Sequence, residues 1–141
     1  IYTLNRSRKR DRQRRLLMMR LEAAMPNGRL LTMTDDVTVE HVLPKGGSAW
    51  WNERFPDPAL RVELAHLIGN LVLVTYEQNK AADNKPYAKK KSVFFDTPNV
   101  PLYAVTKDIA SIEEWTLHAI EDRHERLVRI LCEDWGLVRG D

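Results

Sequence analysis

The chain has 141 residues, enough for one domain with an ordinary core, and carries a formal net charge of +2. No apolar run is long enough to cross a bilayer, no basic-then-apolar leader opens it, and the single cysteine, Cys132, excludes an intrachain disulfide and a cysteine-rich structural zinc site. These features fit a cytoplasmic protein without a membrane partner, and the start Ile1-Tyr2-Thr3-Leu4 fits a piece of something longer.

The small net charge hides an asymmetry. Residues 1–20 hold Arg6, Arg8, Lys9, Arg10, Arg12, Arg14, Arg15 and Arg20 against Asp11 alone, a local +7, so the remainder is at −5. Residues 4–25 read as a helix whose second half carries an apolar stripe of Leu16, Leu17, Met18, Met19, Leu21, Ala24 and Met25, ended by Pro26-Asn27-Gly28. A focused positive charge suits a phosphate backbone, although a solvated helix face or an interdomain linker has the same signature.

Residues 38–43, β-branched and apolar before Pro44, read as a strand, and residues 71–75 as a second. Between them residues 45–58 read as an irregular loop folded back through Trp50, Trp51 and Phe55, and residues 60–68 as a short helix on which His66 packs or hydrogen-bonds. Residues 78–91 read as a helix bearing Lys85, Lys89, Lys90 and Lys91, a second basic cluster. After the turn-rich residues 96–101, Ser111 with Glu114 forms a capping box opening a helix to about Trp135, on which His118 and His124 are solvated.

This strand, loop, strand and helix bring His41, Asn70 and Asn79 around one crevice. An imidazole accepts a proton near neutrality, so His41 is a candidate general base. The Glu40 carboxylate and the Asn79 amide are hard oxygen donors of the kind that suit Mg²⁺, which keeps several waters and shares its other positions with phosphate. Base, cation and phosphate together describe metal-assisted phosphodiester hydrolysis. Plainer readings stand beside these: His41 as a structural strand histidine, Asn70 as a turn residue, Asn79 as a helix N-cap and Glu40 as a supporting carboxylate. Strand alternation also sends Glu40 and His41 to opposite faces unless the strand distorts.

In combination, Glu40-His41-Val42-Leu43-Pro44, Gly69-Asn70-Leu71 and Asn79 with Asn84 and Lys90 resemble the HNH nucleases, the His-Me finger or ββα-metal group, with Asn79 in place of the final histidine of many members. Residues 37–135 resemble a narrower branch, the C-terminal nuclease domain of modification-dependent restriction and phage-defence proteins, in which Trp115, Ile120, Arg123, Leu127 and Trp135 also find counterparts. The resemblance implies His41 as the base, Glu40 and Asn79 as metal ligands, and Asn70 as a loop brace orienting the base. Lys90 and Asn84 fall on its basic and polar positions near the helix. It also implies an upstream nucleotide-hydrolysing domain, and products with a 5′-phosphate and a 3′-hydroxyl.

The expected fold is a single α+β domain: a basic helix and link (1–36), a ββα-metal core (37–95) and a C-terminal helical part (96–141), the core packed between N- and C-terminal helices. The expected activity is a nicking DNA endonuclease using Mg²⁺ or Mn²⁺, with DNA contacted by Lys89, Lys90, Asn84, Arg8, Arg12 and Arg15. A nuclease toxin acting on RNA or DNA, and a non-catalytic DNA-sensing module, are the rival classes.

Overall fold

In the computed structural model, which describes residues 2–136 with side chains from residue 8 onward, two four-residue strands organise a largely helical chain. The elements run α1 (Tyr2–Ala24), β1 (Thr38–His41), α2 (Ala49–Arg54), α3 (Pro58–Ala65), a 3₁₀ turn (Ile68–Asn70), β2 (Leu71–Val74), α4 (Tyr76–Ala82), α5 (Tyr87–Asp96), α6 (Ala104–Lys107) and α7 (Leu117–Asp134). This is an α+β domain. Among the described residues no helix is long and apolar enough to cross a membrane. The Arg6 side chain lies outside the described part.

β1 and β2 pair antiparallel, Thr38 opposite Val74 and His41 opposite Leu71. All four β2 side chains are buried, because each face of the ladder has its own core. Val72 and Val74 join Trp51, Phe55, Tyr87, Phe94 and Trp115 on one face. Leu71 and Leu73 join Met18 and Leu21 of α1, Tyr103 at the N-cap of α6, and Leu127 and Leu131 of α7 on the other.

A two-stranded sheet has two open edges, and each carbonyl left there needs a partner when it is buried. Here side chains supply them. On the β2 edge Thr106 donates to Leu73 O and accepts from Leu73 N (2.5 and 3.1 Å), while the Arg123 guanidinium donates to Leu71 O at 2.9 Å. On the β1 edge Asn79 Nδ2 donates to Val39 O at 3.1 Å and Lys90 Nζ to His41 O at 2.9 Å. Four residues from four different helices therefore replace two missing strands.

Three expected elements are redrawn. Residues 45–58 contain α2 and open α3, where Asp57 accepts from Ala59 N and Leu60 N and Pro58 occupies the first helical turn. The single helix expected over residues 78–91 is two helices, because Asp83 has a positive φ of 42° and Pro86 cannot extend α4. The cap of α4 is Thr75, which forms a reciprocal capping box with Gln78. Finally, Ser111 does not open the last helix; Thr116 does, accepting from Ala119 N at 3.1 Å. Residues 109–115 instead form a turn that buries Trp115, with Ile112 O held by Tyr87 Oη at 2.6 Å and by Lys91 Nζ at 3.0 Å.

Two buried charges lock the helices to this frame. The Glu22 carboxylate accepts from Arg29 N, Ala104 N and Val105 N, tying α1 to the start of α6. Arg123 is fully buried on α7 and donates to Asp108 Oδ2 and to the carbonyls of Gly69, Leu71 and Val105. Its neighbour His124, expected in solvent, is half-buried and accepts from Gly69 N at 3.3 Å. Gly69 permits this approach, since a Cβ there would collide with Ile120 O and His124 N. His118 is exposed, as expected.

Candidate active site

The ladder runs through Glu40 and His41 without interruption, so no distortion brings them together. Glu40, opposite Val72, faces α4 and α5; His41, opposite Leu71, faces α1. Both nevertheless border one crevice at the end of β1, of ≈ 400 Å³, whose lining includes Lys45, Asn79, Asp83 and Asn84. On the α1 side a second cleft of ≈ 380 Å³ is lined by Asp11, Arg12, Arg14, Arg15, His41 and Lys45, among others. His41 and Lys45 are shared by the two.

Glu40 is 6% exposed, and its Oε2 is buried without a hydrogen-bond partner among the described residues. Its Oε1 lies 3.7 Å from Lys90 Nζ. Burial pushes the Glu40 carboxyl up to about 7, against the opposing pull of the Lys90 ammonium. Lys90 itself is 0% exposed, and burial draws its pKa down. Its ammonium is committed to His41 O and Glu40, so the DNA contact expected of Lys90 is corrected: it works inside the fold, holding the strand that carries the site.

His41 presents a buried Nε2 with no hydrogen-bond partner among the described residues. Burial, then the positive charges of Lys45, Arg14, His66 and Lys90, push its pKa down to about 3, so the ring is neutral at pH 7. His66, at the C-terminal end of α3, stands edge-on to it with ring centroids 6.2 Å apart and planes at 85°. The Arg14 guanidinium lies 3.0 Å from His66 Nδ1. Sequence reasoning expected His66 to pack or hydrogen-bond but missed its place beside His41. The signal available was its position four residues before Asn70.

Asn70 is wholly buried and every part of its amide is used. Its Oδ1 accepts from Leu43 N (2.8 Å) and Trp115 Nε1 (3.0 Å), and its Nδ2 donates to Leu43 O (2.9 Å) and Ala65 O (3.0 Å). It clasps the backbone two residues beyond His41 and is a positioning residue. Asn79 is in the second turn of α4, three residues past the first helical position, and the N-cap reading does not hold. With Nδ2 directed to Val39 O and, more weakly, Thr38 Oγ1 at 3.5 Å, Oδ1 is the atom it offers to a cation. Asp83, not singled out from the sequence, adds a second carboxylate to the crevice lining, and its charge raises the Glu40 pKa further.

The other expected DNA contacts divide. Asn84 is exposed at the crevice, Lys89 is exposed on α5, and Arg8 and Arg12 are exposed on α1, with Arg12 lining the basic cleft. Arg15 is half-buried and donates to Met33 O (3.1 Å) and Asp35 O (3.0 Å), which ties its guanidinium to the loop before β1.

Among the described residues no group of three or more histidine, cysteine or acidic side chains could hold a metal ion. A different, open type of site needs no such group, since Mg²⁺ is commonly held by one or two carboxylates, waters and phosphate oxygens. The orphaned Glu40 Oε2, with Asn79 and Asp83 lining the same crevice, fits this second type.

A family model described as the C-terminal domain of GmrSD restriction endonucleases matches residues 2–130. Comparisons with curated proteins and with solved structures found no match. The matched span takes in α1, both strands, the two clefts and most of α7, and the chain belongs to the family of GmrSD restriction endonuclease C-terminal domains, with the restriction-endonuclease type of nuclease function this implies.

Proposed function

We propose that this domain is an HNH-type, metal-dependent DNA endonuclease that nicks one strand per event, within a bacterial restriction or phage-defence protein that also carries a nucleotide-hydrolysing domain upstream. The observation that carries this reading is the pair of unpartnered buried atoms, Glu40 Oε2 and His41 Nε2, on neighbouring residues that border one crevice. Buried polar atoms are rarely left without a partner unless a ligand supplies one.

His41 takes a proton from water at Nε2. The water oxygen forms the new bond to phosphorus as the bond to the 3′-oxygen breaks, and the departing 3′-oxygen takes a proton from solvent water, leaving a 5′-phosphate and a 3′-hydroxyl. Being neutral, His41 has its lone pair available; an incoming phosphate offsets the cations around it and raises its basicity toward the range a general base needs. Glu40 and Asn79 would hold the ion, Mg²⁺ or Mn²⁺, with Asp83 close by. When bound, such an ion stabilises charge on the phosphate oxygens and on the departing 3′-oxygen. Lys90 compensates the Glu40 charge from behind, and Asn70 keeps the His41 backbone from shifting as DNA enters. Lys89, Asn84, Arg8 and Arg12 serve as outer contacts to DNA.

The test is incubation of supercoiled plasmid, and separately of a matched RNA, with Mg²⁺, Mn²⁺ or EDTA. Nicked circles with either metal, intact plasmid in EDTA and intact RNA are the expected result. Tight plasmid binding without cleavage under any metal would establish the non-catalytic module, and cleavage of RNA alone would redirect the activity.

A further inference from the structure

On the α1 side of His41 the cleft holds two cations, Arg14 and Lys45, to which the reading above gives no contact with DNA. Arg14 projects from α1 with its side chain about one-quarter exposed (23%), and two partners orient its guanidinium: Nη1 lies 3.4 Å from Asp11 Oδ1 and Nη2 3.0 Å from His66 Nδ1. Arginine does not give up its proton, so Nδ1 of His66 must be the acceptor and the ring proton must sit on Nε2. An uncharged histidine therefore fixes a charged arginine without neutralising it. The acidic partner is weak by comparison, because Asp11 is largely exposed and one helical turn away on the same helix.

Around Arg14 the same cleft carries Arg12, Arg15 and Lys45 against the single carboxylate of Asp11. Lys45 is exposed and also borders the crevice of Glu40 and Asn79. Arg15 gives Nη2 alone to both Met33 O and Asp35 O and keeps a buried Nε without a partner among the described residues, so its guanidinium is tied to the loop before β1. Arg14 is instead engaged at both Nη atoms, once each by Asp11 and His66, which sets the plane of its fork and leaves most of its five N–H donors unspent. A pre-oriented, partly exposed guanidinium beside an edge-on histidine pair matches the bidentate recognition that arginine gives phosphate.

The geometry points to Arg14 and Lys45 as the binding site for a phosphate oxygen of the strand being cut, with His66 as the positioning residue that holds Arg14 in place. It rests on the nuclease reading above for which phosphate is held, but not for whether a phosphate is held. The cleft is the second wall of the site: phosphate is taken from the arginine side while the carboxylate side takes the cation, and His41 lies between. Lys45, bordering both clefts, is placed to follow the phosphate across that boundary.

The experiment combines duplex-oligonucleotide binding in EDTA with plasmid cleavage in Mg²⁺, for wild type, Arg14→Ala, His66→Ala, His66→Gln and Arg14→Ala/His66→Ala. Arg8→Ala, exposed on the same helix and outside the cleft lining, is the control for general loss of positive charge. Arg14→Ala is expected to weaken binding about 10-fold, the cost of a charge-assisted hydrogen-bond pair, against less than about 3-fold for Arg8→Ala. His66→Ala should reproduce most of that loss, His66→Gln, which keeps an acceptor, should recover part of it, and the double variant should be no weaker than Arg14→Ala. If His66→Ala weakens binding as much in the Arg14→Ala background as in wild type, His66 does not act through Arg14 and the proposal falls. It also falls if Arg14→Ala matches the Arg8→Ala control. Should wild type fail to cleave while this binding pattern holds, the nuclease reading fails and the phosphate site stands.

Discussion

The two flanks of His41 are built from opposite chemistry. On the α4 side the crevice offers oxygen atoms, from Glu40, Asn79 and Asp83, with Lys45 and Lys80 also in its lining, and its central carboxylate is buried. On the α1 side the cleft offers cations at or near the surface, from Arg12, Arg14 and Lys45. Were these groups interleaved they would pair with one another, and neither a cation nor a phosphate would find an open partner. The alternation of β1 reduces this, sending Glu40 to one face and His41 to the other, so that of the arginine-side cations only Lys45 also borders the oxygen-side crevice. The flanks also differ in what they cost. A buried carboxylate is expensive without compensation, which Lys90 supplies from inside the fold, whereas solvated arginines cost the fold little. Substitutions on the oxygen side should therefore disturb chemistry and fold together, and those on the arginine side binding alone.

The partition itself is the first thing to break. His41→Ala should lower cleavage by at least the ~10²-fold typical of losing a general base, while duplex binding in EDTA stays near wild type. Cleavage at the parental rate would remove His41 from the mechanism. Next in size is Asn70→Ala, which strands Leu43 N, Leu43 O, Ala65 O and Trp115 Nε1 in a buried setting. Thermal or urea melting should register a loss of about 3 kcal/mol, at the upper end for unsatisfied buried groups, and a stability within ~0.5 kcal/mol of wild type would contradict the bracing role.

Asn79→Ala tests the oxygen side with a milder change, because Glu40 remains. Activity should fall by about 10-fold at limiting Mg²⁺ and recover in part with excess Mn²⁺, which binds such donors more tightly. A metal titration superimposable on wild type would leave Asn79 with only its role at the β1 edge. The smallest effect belongs to the outer arginines. Arg8→Ala and Arg12→Ala should each lower the slope of log affinity against log salt by ~0.9, with turnover at saturating DNA unchanged. An unchanged slope would mark that part of α1 as a surface for another domain.

How far the sequence went differs between these same flanks. The order of His41, Asn70 and Asn79 was legible because each sits in or beside a locally patterned element, and both strands and α1 fell where apolar patterning put them. Lys90 was not legible. Among Lys85, Lys89 and Lys91 it reads as one more surface cation, and only the open edge of β1, a tertiary circumstance, explains why it is buried. Arg123 was hidden in the same way by the open edge of β2. The helix starts carry a different lesson. Thr75 with Gln78 and Ser111 with Glu114 match one capping pattern, yet only the first is used, because burying Trp115 takes the residues after Ser111 into a turn. His66 and Arg14 meet across 52 positions of sequence, a separation no local pattern reports.

The division of labour around His41 is tested most directly by a crystal of the His41→Ala protein with a DNA duplex and Mn²⁺, in which binding is retained and cutting suppressed. One anomalous manganese peak is expected on the Glu40 and Asn79 side, with a DNA phosphate against Arg14 on the other. Manganese bound away from Glu40 and Asn79, or DNA phosphates bypassing the arginine cleft altogether, would contradict that division of labour.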